Sequence, residues 1–154
     1  MAWLTLCFFL FLLFFFILSY IRLWLYKLKI LTVNDSSLPV IVVGNITVGG
    51  TGKTPIVISI ANYLKSQNKK VGVVSRGYGG NYSQETIEVI ESSNPMECGD
   101  EPVLIKQQTE VPVAVAKKRT KAIKLLTKKY ALDVIISDDG LQHYSMGRDI
   151  EIAV

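Results

Sequence analysis

Hydrophobic positions along the chain follow two patterns. Residues 2–21 form an unbroken apolar run without a charged side chain, dense in phenylalanine at Phe8, Phe9, Phe11, Phe14, Phe15 and Phe16. Beyond residue 39, short apolar runs alternate with longer mixed stretches. The runs at 40–43, 71–75, 111–116 and 132–137 have the length of single buried strands and the β-branched content of a parallel sheet. Residues 85–90 alternate apolar and polar, as a half-buried strand does, and 149–154 begin a further strand. Helices are predicted over 55–64 with Pro55 near the first turn, over 103–108, and over 117–130. Strands alternating with helices point to an α/β fold with a mostly parallel sheet.

The apolar start is long enough to cross a bilayer, since twenty residues at helical rise span about 30 Å. It lacks the basic beginning and small-residue end of a cleaved signal peptide. Arg22, Lys27 and Lys29 follow it, which places the C-terminal side in the cytoplasm by the positive-inside rule. Tyr20, Trp24 and Tyr26 suit the headgroup belt. A helix lying in one leaflet is the alternative, because residues 22–29 continue as an amphipathic stretch. Residues 1–30 are therefore read as a membrane anchor, 31–39 as a polar linker, and 40–154 as one soluble-type domain.

Net charge is +4 over 154 residues, with no interleaving of basic and aromatic residues, so a nucleic-acid partner is not expected. No obligate protein partner is indicated. Cys7 and Cys98 are far apart and form no Cys-x-x-Cys pair, which argues against a disulfide framework or a zinc site. Residues 117–130 carry seven basic side chains and no acid. This is read as a solvated basic face, with contact to anionic lipid headgroups as the alternative.

The strongest chemical signal is the turn between the strand at 40–43 and the helix that follows. Thr47, Val48, Gly49, Gly50, Thr51, Gly52, Lys53 and Thr54 form a phosphate-binding loop in its proper strand–loop–helix context. Glycines let backbone N–H groups turn inward around an anion, and the helix N-terminus adds its positive end. Lys53 is expected to reach the β/γ-phosphates of a nucleotide triphosphate, and the Thr54 hydroxyl to ligate Mg²⁺. The general pattern has glycine where this chain has Thr47. A second signal is the apolar strand ending in Asp138 and Asp139, the arrangement by which phosphate-loop folds hold Mg²⁺; a bare Asp-Asp-Gly turn is the plainer reading.

Three other features adjoin these. Arg76 and Tyr78 sit in a glycine-rich turn at the end of the strand at 71–75, the edge where open α/β sheets bind ligands. Asp100 has the residue type of a helix N-cap. His143, the lone histidine, follows Gln142 just past the acidic strand.

Together these pieces resemble the tetraacyldisaccharide 4′-kinases of lipid A biosynthesis. The resemblance runs through residues 42–55, 74–79, 99–102 and 138–143, in that order, behind an N-terminal membrane helix. Thr47, a misfit to the general loop pattern, matches this family's loop. The resemblance implies a P-loop kinase domain using ATP and Mg²⁺ to phosphorylate the 4′-hydroxyl of a tetraacylated glucosamine disaccharide 1-phosphate. The site would lie at the cytoplasmic face of the bacterial inner membrane. It implies that Lys53 and Thr54 bind triphosphate and metal, that Asp138 and Asp139 serve the metal, and that Asp100 is the catalytic acidic residue. Gln142, His143, Arg76 and Tyr78 would line the substrate site. Family members are longer, with a further lobe that helps Asp100, so the chain is read as an N-terminal portion with little activity alone. Two other function classes stay open: a membrane-associated regulatory ATPase, against which Val48 argues because those proteins carry lysine there, and a nucleotide-binding module that transfers no phosphate.

Overall fold

A computed structural model describes residues 2–28, 36–45, 52–81, 85–141 and 146–154. The chain divides into two compact units, residues 1–33 and 34–154. The first is one helix, α1 (Ala2–Lys27). Its segment Trp3–Ile21 is apolar and long enough to be a candidate membrane span. Phe8, Phe9, Phe11, Phe14, Phe15 and Phe16 are all exposed on it. A helix apolar on every side has no single face to bury, which is the pattern of a candidate span.

The second unit is a sheet with helices on both faces. Its elements run β1 (Val40–Gly44), α2 (Lys53–Ser66), β2 (Val71–Ser75), β3 (Thr86–Val89), α3 (Pro95–Cys98) and α4 (Asp100–Thr109). They continue with β4 (Val113–Ala116), α5 (Arg119–Lys129), β5 (Val134–Asp138) and β6 (Ile150–Ala153). The strand order is β3-β4-β2-β5-β1-β6. All pairings are parallel except β3 with β4, which is antiparallel at one edge.

The continuous apolar strands are explained by the two layers they serve. Ile41, Val43, Val71, Val73, Val113, Val115, Val134 and Ile136 join Val57 and Ala61 of α2 and Val103 and Ile105 of α4 in one core. The alternate residues Val40, Val42, Val74, Ala114, Ala116 and Ile135 join Ala122, Ile123 and Leu126 of α5 in the other. Period-two alternation thus divides each strand between two apolar faces.

Several boundaries differ from the sequence expectation. The helix expected at 103–108 begins earlier, so Asp100 is its first residue and Gly99 holds the N-cap position. Asp100 is therefore not the cap; Gly99, at φ 87° and ψ 153°, turns the chain instead. Pro102 fits that first turn because its missing N–H has no intrahelical partner there. The expected loop at 91–99 contains α3, capped by Asn94, whose Oδ1 accepts a bond from Met96 N at 3.0 Å.

The basic helix also departs from expectation. Arg119 is not solvated but buried. Lys121 pairs with Glu85 and Lys129 with Glu88, so acids beside and on β3 answer two of the charges. Lys117, Lys118, Lys124 and Lys128 are exposed.

Candidate functional site

The C-terminal ends of β1, β2, β4 and β5 lie side by side. Register pairs Val43 of β1 with Asp138 of β5 and Val74 of β2 with Ser137. The acidic end of β5 thereby sits between the strand that feeds the glycine loop and the strand that feeds Arg76 and Tyr78. This is the edge at which parallel α/β sheets bind ligands.

Lys53 is the first residue of α2, preceded by Gly52 in the left-handed region at φ 79°. Among the described residues no side chain caps this helix, and its first turn holds no acid. Its leading N–H groups and positive dipole end are left for an anion. The Lys53 ammonium lies 2.9 Å from Asp139 Oδ1. Thr54, half-buried, occupies the next position of the same turn. Thr47, Val48, Gly49, Gly50 and Thr51 lie outside the described residues, as do Gln142 and His143.

Asp138 and Asp139 stand in different surroundings. Asp138 is buried, and Ser75 Oγ donates to its Oδ2 at 3.2 Å. Its Oδ1 has no hydrogen-bond partner among the described residues. The Asp138 carboxyl is pushed up to about 6, by burial first and by the nearby Glu101 carboxylate second, against the lowering effects of Ser75 and Lys53. Asp139 lies past the strand at φ 53° with an exposed side chain. Aspartate tolerates this left-handed position better than most residues.

The turn bearing Arg76 and Tyr78 and the turn that starts α4 form a second contact. Gly99, at φ 87°, sits where a Cβ would come within 2.7 Å of the Tyr78 carbonyl oxygen. Asn81 N donates to Met96 O at 2.8 Å, tying the end of the first turn to α3, just before the second. Asp100, Arg76 and Tyr78 are all exposed. Glu101, next to Asp100, acts electrostatically on Asp138, which brings the start of α4 toward the acidic strand.

Three residues at this edge were not singled out from sequence. Ser75 was legible only as the polar end of an apolar strand. Glu101 was visible within its motif but stood beside the more obvious Asp100. Arg119 looked like one more lysine-type residue of a basic helix, yet it donates to the backbone carbonyls of Asp138 and Asp139.

The donor set suits a hard cation bound jointly with a ligand. Among the described residues no three His, Cys, Asp or Glu side chains converge into a metal cage. Magnesium is held by one or two carboxylates together with substrate phosphates and water, and takes oxygen ligands. Buried Asp138 with its open Oδ1, the adjacent Asp139 and the Thr54 hydroxyl fit that pattern.

The family model described as tetraacyldisaccharide-1-P 4′-kinase matches residues 4–154. A tetraacyldisaccharide 4′-kinase of Ruthia magnifica is 55% identical over 91% of this chain and 44% of that protein. One from Pseudoalteromonas translucida is 49% identical over 91% of this chain and 43% of that protein. A crystal structure of LpxK from Aquifex aeolicus, described as an "apo" form in complex with ATP, superposes with a TM-score of 0.78 at 37% identity. That match covers 87% of this chain and 43% of the other. The chain spans less than half the length of the curated relatives it matches.

Proposed function

The chain belongs to the tetraacyldisaccharide-1-P 4′-kinase family, and from that premise we propose that it supplies the ATP-binding part of a lipid A 4′-kinase. The observation that carries the reading is the meeting of Lys53 and Asp139 at 2.9 Å, which joins a phosphate-loop turn to an acidic strand end. In this reading the γ-phosphoryl group of ATP passes to the 4′-hydroxyl of tetraacyldisaccharide 1-phosphate.

Each side chain has a task in that transfer. The loop at 47–52 and the leading amides of α2 cradle the triphosphate, and Lys53 leaves Asp139 to contact the phosphates. Thr54, Asp138 and Asp139 would hold Mg²⁺, which supplies charge neutralisation at the phosphate oxygens. Asp100 accepts the proton of the attacking hydroxyl; its exposure at the head of α4 leaves it open to substrate. Arg76 and Tyr78, held against Gly99, together with Gln142 and His143, line the sugar and phosphate side of the cleft. Phosphoryl transfer depends mainly on such positioning.

A lipid substrate also gives the apolar helix a purpose. We place α1 in the bacterial inner membrane, as an anchor comprising residues 1–30, followed by a linker at 31–39 and the P-loop kinase domain at 40–154. Arg22, Lys27 and Lys29 support a cytoplasmic position for that domain. The test is the fate of label from γ-labelled ATP, in a protein of the relatives' full length that carries these residues. Label in the lipid, at the 4′ position, supports the reading. Label only in free phosphate supports a regulatory ATPase, and label that never leaves ATP supports a binding module.

A further inference from the structure

We propose that Arg119 is a positioning residue that fixes the Asp138–Asp139 turn so that both carboxylates face the metal and phosphate side of the site. The proposal rests on the nucleotide site described above but concerns a residue outside it.

Arg119 is 1% exposed although it opens the most basic helix of the chain. A buried guanidinium is costly unless its donors are satisfied. Here Nη1 donates to Ala116 O at 3.2 Å, and Nη2 donates to Asp138 O at 3.1 Å and to Asp139 O at 3.3 Å. The first is the last residue of β4, the second the last of β5, and the third the residue that turns away at φ 53°. One rigid fork therefore clamps two strand ends and the turn that carries the acids. Ala116 and Asp138 are the end residues of their ladders, paired with Thr86 and Val43, and Asp139 lies just beyond, so the fork acts where the ladders stop.

Among the described residues, side-chain contacts to the acids themselves are Lys53 on Asp139 and Ser75 on Asp138. Gly140 N reaches Val43 O only at 3.4 Å. Gly140 is also packed so that a Cβ there would lie 2.6 Å from Ser137 Oγ. If the turn rotated, Asp139 would swing away from Lys53, and Asp138 would lose its alignment with Ser75. Lysine cannot replace this grip, because one ammonium lacks the planar fork that spans carbonyls on two strands.

The test compares wild type with Arg119→Lys and Arg119→Met in the full chain. Amide hydrogen exchange at residues 138–140 should speed up at least about tenfold in both variants, while the β2 and α2 amides keep their protection. ATP affinity is then measured with Mg²⁺ and with chelator. The gain that Mg²⁺ gives wild type should fall about 10–100-fold in the variants, as for other residues that orient metal ligands, while metal-free ATP affinity stays within about threefold. Should Arg119→Met fail to fold, Arg119→Lys carries the comparison. Unchanged exchange at 138–140 in a folded variant overturns the proposal, and so does faster exchange with the Mg²⁺ gain intact. If wild type itself gains nothing from Mg²⁺, the proposal as stated is overturned; the exchange result then tells whether Arg119 clamps the turn for structure alone, separately from the failed metal reading.

Discussion

The ammonium of Lys53 and the carboxylate of Asp139 meet at 2.9 Å, joining the first residue of α2 to the first residue past β5. The Asp139 side chain is 56% exposed, so as a stabilising contact the pair is worth less than about 1 kcal/mol. Its meaning is positional: the cation proposed for phosphate and the acid proposed for metal are within reach of each other. Lys53→Ala should weaken ATP binding by about 10–100-fold, the loss of a charged hydrogen bond of about 1.5–3 kcal/mol. The fold should be kept, and circular dichroism with ATP titration checks both halves of that statement.

Asp138 gives a pH signature in the metal-free chain. Its folded carboxyl titrates at about 6, against an ordinary value of 3.8. The folded state thus holds this proton more tightly than the unfolded one. The stability that comes from this group is complete below the unfolded value and is lost as pH rises through 6. Wild type should lose stability relative to Asp138→Asn as pH climbs between about 4 and 6, and nothing further above that window. Urea unfolding of both proteins across that range reads it directly. Parallel curves would show that Asp138 is not held protonated by its burial.

Asp100 stands exposed at the head of α4, where its carboxylate is free to meet a hydroxyl. In a catalytically competent protein, Asp100→Asn should leave ATP affinity unchanged and reduce kcat by about 10²–10⁴. Steady-state kinetics separates these outcomes. A rise in the KM for ATP alone would assign Asp100 to nucleotide binding.

Gly99 is constrained twice, by a φ of 87° and by a Tyr78 carbonyl that a Cβ would approach to 2.7 Å. Gly99→Ala should destabilise the fold by about 1–3 kcal/mol, from backbone strain together with the clash. In a competent protein it should also reduce turnover by displacing the turn that bears Tyr78. Gly79→Ala is the comparison: its φ is also positive, at 79°, but among the described residues no atom beyond its chain neighbours lies within 4 Å of a Cβ there. Denaturant midpoints should place Gly99→Ala clearly below Gly79→Ala.

Much of this arrangement was legible in the residues themselves. Alternating apolar strands, the Gly-Lys-Thr turn and the acidic end of β5 each carry a local physical signature, so their place at one sheet edge follows from a parallel α/β fold. The rest depended on contacts between distant segments. Arg119 reads as solvated because basic helix residues usually are, and its burial rests on the carbonyl of Ala116 and on those of Asp138 and Asp139, which lie on a distant segment. Asp100 has the residue type of a cap, but Gly99 performs the turn because the close approach of the Tyr78 carbonyl leaves no room for a Cβ. Glu101 of α4 matters through its charge near a carboxylate at the end of β5, which no local pattern encodes.

The anchoring claim has a simple readout. The chain should sediment with membranes and resist high-salt extraction, because burying the apolar segment Trp3–Ile21 outweighs the neighbouring basic charges. Detergent should release it. Release by salt alone would reduce α1 to an electrostatic surface contact.

The central claim is that α2's first turn and the end of β5 form one Mg²⁺–ATP site. Isothermal titration of the chain with ATP, in Mg²⁺ and in chelator, measures this most directly. One ATP per chain should bind, more tightly with Mg²⁺, with Lys53→Ala weakening both conditions and Asp139→Asn removing mainly the Mg²⁺ gain. ATP binding that ignores both substitutions, or none in the folded chain, would contradict the account.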